Sequence, residues 1–149
     1  MNDTDGVPEP EIDHAGLEIL TPEECRSLLE TTPIGRVAFV DEGEPVILPV
    51  TIGTWDRSIV FTTAAGSKLS AAIMNAPVAL EIDEWDAERR HGWSVLVKGI
   101  AMVVDEGREI DSLDRLSVRS WTRPEQPKAW VRVLPNEITG RRVPGTPRP

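Results

Sequence analysis

The stretch from Thr62 to Lys68 carries the side chains best suited to binding chemistry. Thr62 and Thr63 end a predicted strand, an Ala-Ala-Gly link turns the chain, and Ser67 is placed to begin a helix. The first backbone N–H groups of a helix lack partners and favour an anion, whereas a lysine in the first turn opposes the helix dipole. A bound phosphate would therefore explain Lys68. The residues alone leave two interpretations open, a phosphate site and an ordinary helix cap with a solvated lysine.

The sequence contains no complete catalytic motif of its own. The lysine after Gly66-Ser67 lacks the G-x-x-x-x-G-K register of a P-loop, and no G-x-G-x-x-G occurs. His14 lies in an acidic tail and His91 in a charged loop, so neither a histidine triad nor a metal cluster is predicted. The acidic run 83–86 precedes two arginines, which favours a salt-bridged loop. Such a chain often takes its chemistry from a cofactor.

Composition limits the class of protein. The 149 residues fit one domain, and the net charge of −9 is concentrated in residues 1–18, which hold six acids and no Lys or Arg. The remainder, with 16 basic and 19 acidic side chains, is close to −3, which argues against a nucleic-acid partner. No apolar run is long enough to span a membrane. The single cysteine, Cys25, is consistent with a reducing compartment, so a cytoplasmic location and a core role for Cys25 are predicted.

Hydrophobic periodicity predicts a mainly β domain with peripheral helices. Thr21-Pro22-Glu23-Glu24 has the pattern of a capping box that begins a short helix. Period-two patterns and turn residues then predict about six strands, joined mostly by hairpin-length links, with two more short helices among them. That arrangement favours a six-stranded antiparallel barrel over a doubly wound sheet. We expect an acidic, flexible tail over residues 1–18, a domain over residues 19–143, and a C-terminal tail over residues 144–149.

Pro49 interrupts one of these strands. Val46, Leu48, Val50 and Ile52 share one face of that strand, and Pro49 lies on the other. Proline cannot donate to a strand ladder. The strand is therefore at an edge, or carries a bulge, or leaves that side free for another group.

The order of short motifs along the chain resembles one family. The sequence is similar to the pyridoxamine 5′-phosphate oxidase-like, FMN-binding split-barrel superfamily, in particular its short actinobacterial-type members. The similarity runs from about Leu20 to Val143. The motifs that carry it, in order, are Gly35-Arg36-Val37-Ala38-Phe39-Val40, Pro45–Val50, Ile59–Thr63, Gly66-Ser67-Lys68-Leu69, Pro77-Val78-Ala79, Gly92-Trp93-Ser94-Val95, the Val-Arg-Val-Leu-Pro run at 131–135 and the Ile-Thr-Gly-Arg-Arg run at 138–142.

The resemblance implies a homodimer with two FMN sites in grooves between the subunits. It implies that the isoalloxazine ring lies beside the backbone of four consecutive residues and that the phosphate binds at the turn identified above. It also implies that two residues of the other subunit approach the ring, and that Trp121 or Trp130 closes the groove. In this sequence the ring residues are Leu48, Pro49, Val50 and Thr51, the phosphate residues are Thr62, Thr63, Ser67 and Lys68, and the partner residues are Trp93 and Ser94.

For function, the resemblance implies an FMN-dependent oxidoreductase acting on a small organic molecule. Relatives that use a deazaflavin or haem, and relatives that only hold flavin, leave two alternatives: a deazaflavin-dependent reductase and a non-catalytic flavin-binding or storage dimer. No second phosphate site is identifiable for pyridoxamine phosphate, so the family name does not define the reaction. The substrate and the electron donor are not predicted.

Overall fold

The structure, a computed structural model, describes residue 6 and residues 8–144. This part of the chain holds eight strands and three short helices. The strands are β1 (Glu18–Ile19), β2 (Ile34–Asp41), β3 (Glu44–Thr51), β4 (Gly53–Trp55), β5 (Ser58–Ala64), β6 (Ala76–Asp86), β7 (His91–Val103) and β8 (Lys128–Val143); the helices are α1 (Pro22–Thr31), α2 (Lys68–Ala72) and α3 (Gly107–Asp114).

The strands form one antiparallel sheet that curls into a half-barrel. Its order is β3-β2-β6-β7-β8-β5-β4, and β1 pairs with β8. The mainly β, split-barrel prediction is confirmed. The count of six strands is wrong, because β1 and β4 are two and three residues long, too short to produce a periodic pattern. The other six correspond to the six predicted strands.

The helix α1 begins at the position that the capping box predicts. The Thr21 hydroxyl accepts a bond from the Glu24 amide at 3.2 Å, and the Glu24 carboxylate accepts one from the Thr21 amide at 3.3 Å. The helix buries Cys25 and Leu29 against the sheet. Burial raises the pKa of the Cys25 thiol, so this cysteine is an unreactive core residue, as predicted.

The longest strand, β8, contains an irregularity opposite Gly99. Gly99 pairs with Pro135 and Lys98 with Glu137, which leaves Asn136 without a partner in the ladder. A Cβ on Gly99 would lie 2.2 Å from the Leu134 carbonyl oxygen, so the close approach requires glycine. The β-bulge increases local twist and allows one strand to continue across Pro135. The predicted last strand and its predicted extension, Ile138–Val143, are therefore one strand.

Part of the segment predicted as a flexible tail belongs to the folded domain. Residues 1–5 and 7, and residues 145–149 of the predicted C-terminal tail, lie outside the described residues, but Ile12 forms a β-bridge with Glu18. The carboxylate of Asp13 accepts bonds from two backbone amides and from Arg141 Nε, the latter at 3.0 Å. These bonds fix the segment against β8. Residues 12 and 13 of the predicted tail therefore contact the domain, and the domain boundaries at residues 19 and 143 stay a prediction.

Two hydrophobic clusters fill the opposite faces of the curled sheet. The larger one lies inside the half-barrel and includes Val37, Phe61, Leu80 and Val97. The smaller lies between α3 and the outside of β5 and β8 and contains Leu113 and Trp130, among others. None of the helices in residues 8–144 has the length and apolarity needed to span a membrane.

Candidate functional site

The turn from Thr62 to Lys68 forms a capped helix start. The Ser67 hydroxyl accepts a bond from the Ser70 amide at 3.2 Å and lies 3.3 Å from the Thr63 hydroxyl. Gly66 has a φ of +73°, and nothing lies within 4 Å of the position its Cβ would occupy. Ser67 begins the helix as predicted. The result is a pair of neighbouring hydroxyls beside an open glycine turn.

The structure brings together only some of the predicted phosphate residues. Along β5, side chains alternate between the two faces of the sheet. Thr63 follows Phe61 toward the inside of the half-barrel, whereas Thr62 lies on the face that carries Trp130. The Thr62 side chain therefore lies on the opposite face of the sheet from the Thr63–Ser67 pair. Lys68 is the first residue of α2.

The strand that contains Pro49 lies at one end of the sheet. The Ile52 amide donates to the Pro33 carbonyl at 2.9 Å, which fixes the hydrogen-bonded pairs of the β2–β3 ladder. Because bonded and non-bonded pairs alternate, the backbone groups of Pro49 and Thr51 point away from β2. Pro49 therefore removes no ladder bond. Among the alternatives for Pro49, the structure identifies an edge strand whose outer side is unpaired by any described strand.

The same alternation separates the four predicted ring residues into two pairs. Leu48 and Val50 direct their backbone groups to β2, and the Val50 side chain is buried in the core. Pro49 and Thr51 direct a carbonyl, and for Thr51 also an amide, to the open edge. The backbone groups available to a ligand there are therefore those of Pro49 and Thr51.

A charged cluster lies next to Pro49 on the outer face of the sheet, by which we mean the side of β3, β2 and β6 opposite the core. Arg36, the cross-strand partner of Pro49, places its guanidinium 3.3 Å from the Glu81 carboxylate and 3.0 Å from that of Asp83. Partial burial, together with the hydrogen bond and charge of Asp83, raises the pKa of Glu81 to about 7, against the attraction of Arg36. Sequence analysis missed this cluster, although Arg36 interrupts an otherwise apolar strand.

The rest of the outer face is apolar and exposed. Ile47 on β3 pairs with Ala38 on β2, and Ala38 pairs on its other side with Ala79 on β6. Ile47 is 66% exposed and Val40 61% exposed. Contiguous apolar side chains on a sheet face typically mark an interaction surface.

The tryptophans implied by the resemblance occupy different environments. Trp121 is 63% exposed and donates from Nε1 to the Thr51 hydroxyl at 2.9 Å. Trp130 is buried and donates to Asp114 at 2.7 Å. Trp121 therefore lies beside the open edge of β3, and Trp130 belongs to the cluster under α3.

Trp93 and Ser94 are far from the turn at residues 62–68 when the distance is measured along the strands. Trp93 is opposite Arg142 near the end of β8, whereas Thr62 is opposite Trp130 near its start. Twelve residues of strand separate these positions, roughly 40 Å along the strand at about 3.3 Å per residue. Trp93 packs partly against the core, and Ser94 is exposed on the outer face. Within one copy of the chain, these residues and the turn therefore pair with opposite ends of β8.

A curled antiparallel half-barrel with short peripheral helices defines a split-barrel protein. The protein-family model described as "Pyridoxamine 5'-phosphate oxidase" matches residues 21–142. The chain belongs to this family, and the resemblance found in the sequence is confirmed.

Individual proteins agree with this assignment. The FAD-binding protein from Mycobacterium smegmatis is 36% identical, with a TM-score of 0.72 over 85% of this chain and 99% of that one. A candidate pyridoxamine 5′-phosphate oxidase of Corynebacterium glutamicum is 33% identical, with a TM-score of 0.76 over 85% and 98%. An uncharacterized protein of Mycobacterium tuberculosis is 31% identical over 83% of this chain and 84% of its own length.

The raised pKa of Glu81 predicts a pH-dependent contribution to stability. Between pH 4.5, its ordinary pKa, and about 7, the folded chain holds a proton that the unfolded chain releases. The free energy of unfolding should therefore fall as the pH rises through this window. Glu81→Gln should remove that slope, so the variant should gain stability over wild type more at pH 8 than at pH 5 in urea unfolding. Glu84→Gln, an exposed carboxylate on the same strand, is the control. An equal difference at both pH values would contradict the prediction.

Proposed function

We propose that the protein binds a flavin nucleotide, with the flavin 5′-phosphate at the turn from Thr62 to Lys68. The observation that carries this proposal is the pair of hydroxyls, Thr63 and Ser67, 3.3 Å apart at the start of α2. The Ser67 oxygen already accepts from the Ser70 amide, so its hydrogen can be donated to a phosphate oxygen. The open space at Gly66 lets a ligand approach the backbone. These residues fit a phosphate group.

The open edge of β3 fits the polar rim of a flavin ring. Thr51 offers an amide and Pro49 a carbonyl, and both point away from the sheet. A ring that carries both acceptors and donors can pair with this edge as a neighbouring strand would. Trp121, held at Thr51, supplies a planar side chain beside the same edge.

The relatives support a flavin as the ligand. The Mycobacterium smegmatis protein, 36% identical, is named for binding FAD. FMN and FAD share the riboflavin 5′-phosphate group, so the same turn serves either nucleotide. We propose FMN, whose single phosphate the turn accounts for completely, and titration with FAD, a deazaflavin and haem tests the alternatives.

We further propose that the site is completed by a second copy of the chain. Trp93 and Ser94 lie roughly 40 Å along β8 from the residues opposite the phosphate turn. A partner packed on the apolar outer face can bring its own Trp93 and Ser94 to the groove. The exposed Ile47 and Val40 make that face apolar, as the core of a dimer interface commonly is.

The proposed activity is a flavin-dependent oxidoreductase acting on a small organic molecule. A bound flavin supplies one- and two-electron transfer. The chain's own groups position the nucleotide: the hydroxyls and first-turn amides hold the phosphate, and the β3 edge orients the ring. Anaerobic addition of NADH or NADPH tests this activity by loss of the visible absorbance of the flavin. A flavin that binds but is not reduced by either donor favours storage.

Ser67→Asp separates phosphate binding from helix capping. Aspartate caps a helix about as well as serine, so α2 and the melting temperature should be retained. Its negative charge should repel the phosphate and lower FMN affinity at least about tenfold, which corresponds to about 1.4 kcal/mol. Lys68→Ala should weaken FMN in the same direction. Quenching of flavin fluorescence measures both, with the exposed Arg108→Ala on α3 as the control. If Ser67→Asp binds FMN as wild type does, the phosphate is bound elsewhere.

Ile47→Glu tests the need for a second copy. A charge at the most exposed apolar position of the outer face should prevent packing of two copies, because a carboxylate would lose its hydration there. Sedimentation should show a monomer, and FMN affinity should fall with it. Ile12→Glu, which changes a similarly exposed isoleucine in the segment before β1, should leave both unchanged. A monomeric Ile47→Glu protein that binds FMN normally would mean that one copy forms the whole site.

A further inference from the structure

A groove away from the proposed flavin site lies between α1, the β4–β5 turn and the bulge of β8. It consists of two cavities of about 340 and 240 Å³ whose walls share Arg26, Arg57 and Ile138. The larger of the two volumes is in the range of small-molecule sites. None of the residues placed at the flavin site lines either cavity.

The two arginines of this groove form no ion pair with a carboxylate in the described part of the chain. No carboxylate in residues 8–144 lies within 4.0 Å of the guanidinium of Arg26 or Arg57. Most of the acidic side chains that line the groove form ion pairs with other basic residues. Asp56 pairs with Arg132 at 3.4 Å, and Glu137 pairs with Lys98 at 3.9 Å. The remaining carboxylate, Glu30, lines only the smaller cavity.

The backbone at Arg57 is unfavourable for an arginine. Asp56 and Arg57 have φ values of +46° and +62° in the two-residue turn between Trp55 and Ser58. A turn with both central residues in the left-handed region favours Asp-Gly or Asn-Gly. A non-glycine residue held in such a conformation is often found at a functional site. Position 57 is therefore an arginine, although glycine would suit this backbone conformation better.

A second irregularity of the sheet faces the same groove. Asn136, the residue that the β8 bulge leaves without a partner, lines the larger cavity with both arginines. Bulges often redirect a side chain next to a binding site. The smaller cavity continues onto buried apolar residues, Leu29 and Ile59. The groove thus has two arginines in the wall shared by both cavities, an amide in the larger cavity and apolar residues in the smaller one.

From this arrangement we infer that the groove binds a small organic anion, a carboxylate or phosphate ester with an apolar body. Arg26 and Arg57 bind the anionic group, because guanidinium groups form paired, charge-assisted hydrogen bonds with carboxylate and phosphate oxygens. Asn136 donates a further hydrogen bond through its side-chain amide. The apolar body covers Leu29, Ile59 and Ile138.

The test is a titration of the full chain with phenyl phosphate, benzoate and benzyl alcohol, followed by NMR. Both anions should give saturable shifts of the Asn136 side-chain amide and the Trp55 indole signals, and the neutral alcohol should bind at least about tenfold more weakly. The stronger of the two anions identifies phosphate or carboxylate as the preferred group. Absence of saturable shifts with both anions, or equal affinity for the alcohol, overturns the inference.

Arg57→Gly provides the decisive variant because glycine suits the left-handed turn. Its melting temperature should equal or exceed that of wild type, while anion affinity should fall at least about tenfold. Arg26→Gln should weaken binding similarly. Arg89→Gln, which removes an equal charge from a distant loop, should have no effect. FMN affinity should be unchanged in all three, so this test is independent of the proposed flavin site. Wild-type anion affinity in Arg57→Gly would refute the site.

Discussion

The strand β8 determines how the parts of this domain are placed. Its backbone pairs with β7 along most of its length, with β5 near its start and with β1 near its end. A β-bulge bends its strand and increases the local twist, and here the bulge at Asn136 lets β8 continue through the curl of the sheet. Because β5 leads into the turn from Thr62 to Lys68 and β7 contains Trp93 and Ser94, the length of β8 sets the separation of these two groups along the sheet. That separation is the physical reason for proposing a site formed by two copies.

The strand β3 forms one edge of the sheet, and three strands lie between it and β8. An edge strand exposes unpaired backbone groups, which promotes unwanted association. Pro45 and Pro49 both occupy positions whose backbone points outward, so the edge has fewer free donors than an ordinary strand. The amides that remain free along this edge are those of Ile47 and Thr51, and Thr51 lies next to Trp121. The same prolines that protect the edge therefore limit which ligands can pair with it.

Local signals in the sequence predicted the parts of the structure that depend on neighbouring residues. The capping box at Thr21, the helix start at Ser67 and the six main strands all follow from short patterns. The continuity of β8 across Pro135 does not follow from a short pattern, because it depends on pairing with Gly99, which is distant in the sequence. The cluster of Arg36, Glu81 and Asp83 was missed for the same reason. Arg36 interrupts an apolar strand, but only the register of β2 and β6 brings it to the two carboxylates.

The central claim is that the turn from Thr62 to Lys68 recognises the phosphate of a flavin nucleotide. The direct measurement is the affinity of the wild-type protein for FMN compared with riboflavin, which has the same ring and no phosphate. We expect FMN to bind at least about a hundredfold more tightly, because riboflavin lacks the charge-assisted hydrogen bonds of the phosphate, and we expect added salt to reduce the difference. Equal affinity for the two compounds at low salt would contradict it.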